Sequence, residues 1–203
     1  MTLEHRHMPK FLSALLLHVL AALALFLPAT PAIGMDFRIY FQPELKQRLI
    51  IAEGVISEGD DAKFRIAVQS ADRDAKGYVT LVLDSLGGSV SAAFALVRAM
   101  DEVKVYALVP DNALCASACA SILYISAPRH LVVGSGRLGF HTCYVARGES
   151  NDASPLCNDA IAENAVSHGT DYALVDIWNY DYGPTKMAWL DKKGACQIGL
   201  CRP

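Results

Sequence analysis

The run Val79-Thr80-Leu81-Val82-Leu83-Asp84-Ser85-Leu86-Gly87-Gly88-Ser89 decides how this chain folds. Its first half is rich in β-branched residues and almost continuously apolar, the character of a strand covered on both faces, as in a parallel sheet. Two glycines then free the backbone for a sharp turn. Beyond them the apolar spacing becomes helical, at Val90, Ala93, Phe94, Leu96, Val97 and Met100. Such a turn is common as plain punctuation between elements. It also leaves N–H groups exposed at the positive end of a helix, where negative charge is favoured.

Upstream of it, Phe37, Ile39 and Phe41 alternate within residues 35–48, which suits an edge strand or an extended entry segment. Leu49 to Ile56 reads as a buried strand interrupted by Gly54. Ser57 and Asp60 then have the spacing of a capping box, and Phe64, Ala67, Val68 and Ala71 form the apolar stripe of the helix that follows. Downstream, Val103 to Val109 makes a third strand and Asp111-Asn112 leads into a helix carrying Ser117. Leu131-Val132-Val133 and Leu138-Gly139-Phe140-His141 give two short strands around Gly134-Ser135-Gly136. Asn158 to about Tyr180 reads as a helix with a break at Gly169, and the tail from Met187 to Leu200 as a last short helix. Strands alternating with helices argue for an α/β fold with a largely parallel sheet.

The chemistry-bearing stretch is Asn112-Ala113-Leu114-Cys115-Ala116-Ser117-Ala118-Cys119-Ala120-Ser121, followed by an apolar run and then His141. A serine among alanines is usually only a small residue in a packed face, and a histidine at a strand end is usually structural. The ordered combination points further: a glycine pair after a buried strand, a serine at a helix start after the next, a histidine after the one beyond. A serine and a histidine so placed are a plausible nucleophile and general base.

The chain has 203 residues, 53% of them apolar, enough for one domain with its own core. Arg6 and Lys10 precede an apolar run from Phe11 to Leu27, and Pro28-Ala29-Thr30-Pro31-Ala32 supplies helix breakers and small residues. This is the anatomy of a secretory signal, cut after Ala32 or Gly34. The 17 apolar-dominated positions also reach the short end of a bilayer span, so an uncleaved N-terminal anchor is the alternative. Residues 1–32 are therefore read as a signal peptide or membrane anchor and 33–203 as a single domain. Beyond residue 32 stand 16 basic and 20 acidic residues. That balance implies no basic face and no nucleic-acid partner.

All six cysteines, Cys115, Cys119, Cys143, Cys157, Cys196 and Cys201, lie beyond the export segment. An even number in an exported chain favours disulfides, although six cysteines allow 15 pairings. Cys196 with Cys201 and Cys143 with Cys157 would close short local loops. Cys115, Cys119, His141 and Cys143 offer four soft metal ligands in principle. The oxidising address and the loss of the histidine as a base stand against zinc, and no cofactor or metal is expected.

From about Leu49 to Leu200 the chain resembles the Clp-protease and crotonase superfamily, most closely the periplasmic Clp-protease-like proteins with a Cys-x-Ser-Ala-Cys pattern. Gly87-Gly88-Ser89 matches the family's glycine turn, Ala116-Ser117-Ala118 its nucleophile, Arg129 its arginine and Leu138-Gly139-Phe140-His141 the strand before its histidine. Ile198-Gly199-Leu200 matches its closing helix. The resemblance implies a spiral of stacked ββα units and a serine peptidase. Ser117 would be the nucleophile, His141 the base, and the N–H groups of Gly88 and Ala118 the oxyanion hole. It also implies a peptide or protein substrate and a homo-oligomer, located in the periplasm or otherwise outside the cytoplasm. No ATP-dependent unfoldase is expected for an exported protein. One departure stands out: the family's orienting aspartate falls here at Thr185-Lys186-Met187-Ala188, without an acid. Asp181 and Asp191 flank that place. Lys186 does not occupy the position of the base in the Ser–Lys members. The alternative reading is a catalytically weak or inactive member serving as a binding or assembly module of the cell envelope.

Overall fold

A computed structural model describes residues 34–147, 150–176 and 183–203, all within one compact unit. The expected signal or anchor at 1–32 lies outside the described residues. The main sheet has five strands: β1 (Asp36–Gln42), β2 (Gln47–Glu53), β3 (Val79–Asp84), β4 (Val105–Val109) and β6 (Arg129–Val132), in that spatial order. β2, β3, β4 and β6 pair in parallel, and β1 closes one edge antiparallel to β2. The first five residues of β3 are buried, as its continuous apolar run requires of a central strand. A second sheet is built from β5 (Leu114–Ala116), β7 (Arg137–Phe140) and β10 (Ala188–Asp191), in the order β10-β7-β5. The α/β class expected from the alternation of elements is observed.

Helices cover these sheets where the apolar spacing places them. α1 (Asp60–Val68) buries Phe64 and Ala67, and Phe64 meets Phe37 of β1 edge-on at 6.2 Å. α2 (Val90–Asp101) buries Ala93, Leu96, Val97 and Met100, and its N-cap Ser89 accepts the Ala92 N–H. The capping box at Ser57 forms only in its reverse half. Asp60 accepts the Ser57 N–H at 2.7 Å, but Gly59 is the N-cap. The buried Asp60 carboxylate is recruited instead by the Met35 N–H and the Lys63 ammonium.

Three further expectations need correction. The stretch before Ser117 is the strand β5, not helix, because its residues bridge β7 and the end of β3. The segment after Ser117, α3 (Cys119–Tyr124), is π-helical. Ser121 and Ser126 turn their hydroxyls back onto the carbonyls four residues earlier, which loosens the ordinary ladder. In the tail, Ala188–Asp191 is a strand antiparallel to β7, and only α6 (Lys192–Gln197) is helical. The long helix after Asn158 is divided into α4 (Pro155–Ser167) and α5 (Tyr172–Asp176) around Gly169, whose φ is 81°. Residues 177–180, also expected in it, lie outside the described residues. A small hairpin, β8 (Tyr144–Arg147) and β9 (Ser150–Ala153), precedes α4.

Three disulfides staple the domain: Cys115–Cys119, Cys143–Cys157 and Cys196–Cys201. All six sulfurs are thereby taken, so none remains as a thiolate ligand. Such a set belongs to an oxidising, extracytoplasmic environment. Among the described residues no helix is long and apolar enough to cross a membrane.

The C-terminal residues are pinned on β6. His130 exchanges backbone hydrogen bonds with Arg202, and the Tyr124 hydroxyl donates to the Leu200 carbonyl. The His130 ring is fully buried beside Tyr124, with Nδ1 against the Ala127 carbonyl, and its burial pushes the pKa down to about 4. An unfolded imidazole protonates near pH 6.5, so between 6.5 and 4 the unfolded state binds more protons. Stability is full above pH 6.5 and falls as the pH drops, by about 3 kcal/mol once pH 4 is passed. Denaturant melts at pH 7, 5.5 and 4 check this. His130→Gln, which does not titrate, should flatten the slope over this window, and an unchanged slope would contradict it.

Candidate active site

Two turns meet at the ends of β3 and β5. The first follows β3. Gly87 has φ 96° and Gly88 φ 149°, and neither has room for a side chain. A Cβ on Gly87 would stand 2.7 Å from Ser117 Cβ and 3.0 Å from the Ala118 nitrogen, and one on Gly88 would stand 2.3 Å from the Ile56 oxygen. Ile56 bridges Gly88 in parallel, donating to the Gly87 carbonyl and accepting from the Ser89 N–H. In that pattern the N–H of Gly88 itself points away from Ile56.

The second turn is Ser117. It adopts φ 56°, one of three positive values among described residues other than glycine. A left-handed serine costs of order 1–3 kcal/mol and persists only where its surroundings dictate it. Here they do. Ala116 N–H donates to the Ser85 carbonyl on one side, Ser117 N–H donates to Gly139 of β7 on the other, and the Cys115–Cys119 disulfide spans the turn. Ala118 begins the helix, where an N–H has no acceptor within its own helix.

His141 follows β7. Its Nε2 lies 2.7 Å from Ser117 Oγ, and its Nδ1 lies 2.8 Å from the Thr142 carbonyl oxygen. A carbonyl can only accept, so Nδ1 carries the proton and Nε2 presents a lone pair to the serine hydroxyl. Both side chains are half-buried, and the Tyr144 ring lies beside the imidazole at 5.6 Å. They open into a cleft of about 590 Å³ that Gly88 and Ala118 also line, with apolar walls from Leu86, Val90, Ile161 and Met187.

Thus Ser117, His141, Gly88 and Ala118 are brought together. Of the two flanking acids, the described one, Asp191, is not. Asp191 lies opposite Arg137, at the far end of the β7–β10 pair from His141, and its carboxylate caps α6 through the Gly194 N–H. Asp181 lies outside the described residues. Lys186 lines the same cleft, but His141 holds the place at the serine hydroxyl. Arg129 is remote from the chemistry: it pairs with Asp74 at 3.0 Å and stacks over Tyr78 and Tyr106. Sequence reasoning missed the Thr142 carbonyl, which carries no side-chain signal. It also missed Asn158, buried on α4, which accepts the Cys143 N–H at 2.7 Å.

No family model matches the chain, and no curated protein matches it by sequence. Among solved structures it is similar to a mutant of the 1510-N membrane-bound stomatin-specific protease, with a TM-score of 0.58 and 13% identity. The match covers 74% of this chain and 75% of that one. At that identity the likeness is one of fold, and what this chain shares with that protease is an α/β architecture.

Proposed function

We propose that this chain is an exported serine hydrolase of peptidase type, built on the Clp-protease and crotonase spiral, with Ser117 as nucleophile and His141 as general base. The observation that carries this reading is the 2.7 Å contact between Ser117 Oγ and a His141 Nε2 whose lone pair is kept free by the bond at Nδ1. A peptide lies in the cleft with its scissile carbonyl over Ser117. As Oγ bonds to the carbonyl carbon, its proton passes to Nε2. The oxygen that gains the electron pair faces the N–H groups of Gly88 and Ala118, where one lost donor typically costs about 10²–10³ in rate. The imidazolium returns the proton to the departing amine nitrogen as the C–N bond breaks. Water then repeats the sequence on the acyl-serine and releases the acid. The three disulfides support the exported address, and the signal or anchor at residues 1–32 remains part of this proposal. So does assembly into a homo-oligomer, by analogy with Clp-like proteins.

One observation favours the second reading, a weak or inactive member acting as a binding or assembly module. Among the described residues His141 Nδ1 meets a neutral carbonyl rather than a carboxylate. A carbonyl fixes the tautomer, but it stabilises the imidazolium less than a charge does.

Labelling with a fluorophosphonate probe separates the two. The native protein should label at Ser117, Ser117→Ala not at all, and His141→Ala at least about 100-fold more slowly, within the range of a general base. A native protein that does not label, or a Ser117→Ala variant that does, would overturn the hydrolase. Gly87→Ala, which forces a methyl against the serine turn, should likewise lose labelling. It should also unfold about 1–3 kcal/mol more easily. Ile66→Ala, at a side chain 67% exposed on α1 and outside the cleft, serves as the control, within about 0.5 kcal/mol of the native stability.

A further inference from the structure

His141 leans on a peptide unit, not on a side chain, and that unit has two edges. The Thr142 carbonyl and the Cys143 N–H belong to one plane and, in a trans peptide, point in opposite directions. On one edge the carbonyl oxygen receives the His141 Nδ1 proton at 2.8 Å, and on the other the Cys143 N–H donates to Asn158 Oδ1 at 2.7 Å. Fixing either edge fixes the other. The same plane is further held by Cys143, whose carbonyl accepts the Ser154 N–H at 2.9 Å and whose sulfur is bonded to Cys157. Asn158 is 1% exposed, in the first turns of α4, so its amide has little freedom to turn away.

We propose that Asn158 is a positioning residue for the Ser117–His141 pair, acting through the Thr142–Cys143 peptide to hold the histidine as an orienting carboxylate otherwise would. The proposal deepens the hydrolase reading and rests on it. The chain of bonds runs from Asn158 Oδ1 through the peptide to Nδ1, and from Nε2 to Ser117 Oγ, with contacts of 2.7, 2.8 and 2.7 Å. An acceptor on the N–H polarises the peptide and strengthens its carbonyl as an acceptor in turn. The Cys143–Cys157 disulfide sets the distance between the loop and α4, and Asn158 sets the angle of the plane.

The test uses the full, oxidised chain with nitrogen-15 in its histidine rings, the His141 signals being assigned by their loss in His141→Ala. In the native protein these signals should report a single Nδ1-protonated tautomer at neutral pH. In Asn158→Ala they should average between tautomers. The limiting rate of fluorophosphonate labelling should fall about 10–100-fold, the range expected when a reacting group is misplaced by about an ångström. The concentration giving half that rate should change little. Asn158→Asp, which keeps the acceptor oxygen, should recover most of the rate. A purely structural asparagine would lower the melting temperature and leave tautomer and limiting rate as they were, and that result in Asn158→Ala overturns the proposal. Should that variant not fold, Asn158→Gln moves the acceptor oxygen by a methylene length and is judged by the same two outcomes. If the native protein does not label, the hydrolase reading fails, while the tautomer signals still decide the role of Asn158.

Discussion

The parallel pairing of β5 with β7 is the constraint on which the site depends. It sets Ala116 beside Gly139, and the Ser117 N–H continues the ladder by donating to the Gly139 carbonyl at 2.8 Å. Paired strands lie about 4.8 Å apart, so residues just past their common end are within reach of one another. Ser117 and His141 leave the two strands one and two positions after this pair. A sequence gap of 24 residues is thereby reduced to a hydrogen bond of 2.7 Å. Shifting the register would move both side chains off the shared end, so the pair and the pairing stand or fall together.

The glycine turn after β3 works on the same few ångströms from the other side. β3 lies in the main sheet and β5 in the second. The backbone bonds of Ser85 to Leu114 and Ala116 join them, leaving Gly87 against the serine turn without space for a methyl group. The strained conformation of Ser117 follows from how the turn is held: Ala116 is bonded to Ser85, Ser117 to Gly139, and a disulfide joins Cys115 to Cys119. Close approach is therefore both what forbids side chains at Gly87 and Gly88 and what brings Gly88 and Ala118 to the wall of one cleft, while the Gly87 N–H is taken by the Ser85 hydroxyl. The chemical reading and the packing reading of these glycines are the same statement about distance.

Much of this was legible in the sequence for physical reasons. A continuous apolar run followed by helical spacing admits few structures, and β3 with α2 lies where that run places it. Ser117 and His141, singled out by their order relative to the glycine turn, meet at 2.7 Å. What was not legible has equally definite causes. Leu114-Cys115-Ala116 is too short and too alanine-like to be told from a helix start, and it becomes a strand only because β7 and the end of β3 offer it partners. Ala188-Trp189-Leu190 fits helix and strand alike until the open edge of β7 decides. The group beneath His141 is a main-chain carbonyl, which any residue could supply, and Asn158 looks like any polar residue in the first turns of a helix.

Because all the proposed chemistry is gathered where the ends of β3, β5 and β7 meet, the most direct measurement is a crystal structure of the protein inhibited by a peptidyl phosphonate. The account predicts phosphorus bonded to Ser117 Oγ, the His141 imidazole beside it, and one phosphoryl oxygen about 2.7–3.1 Å from both the Gly88 and the Ala118 nitrogens. Phosphorus on another residue, or a phosphoryl oxygen turned away from those two amides, would contradict it.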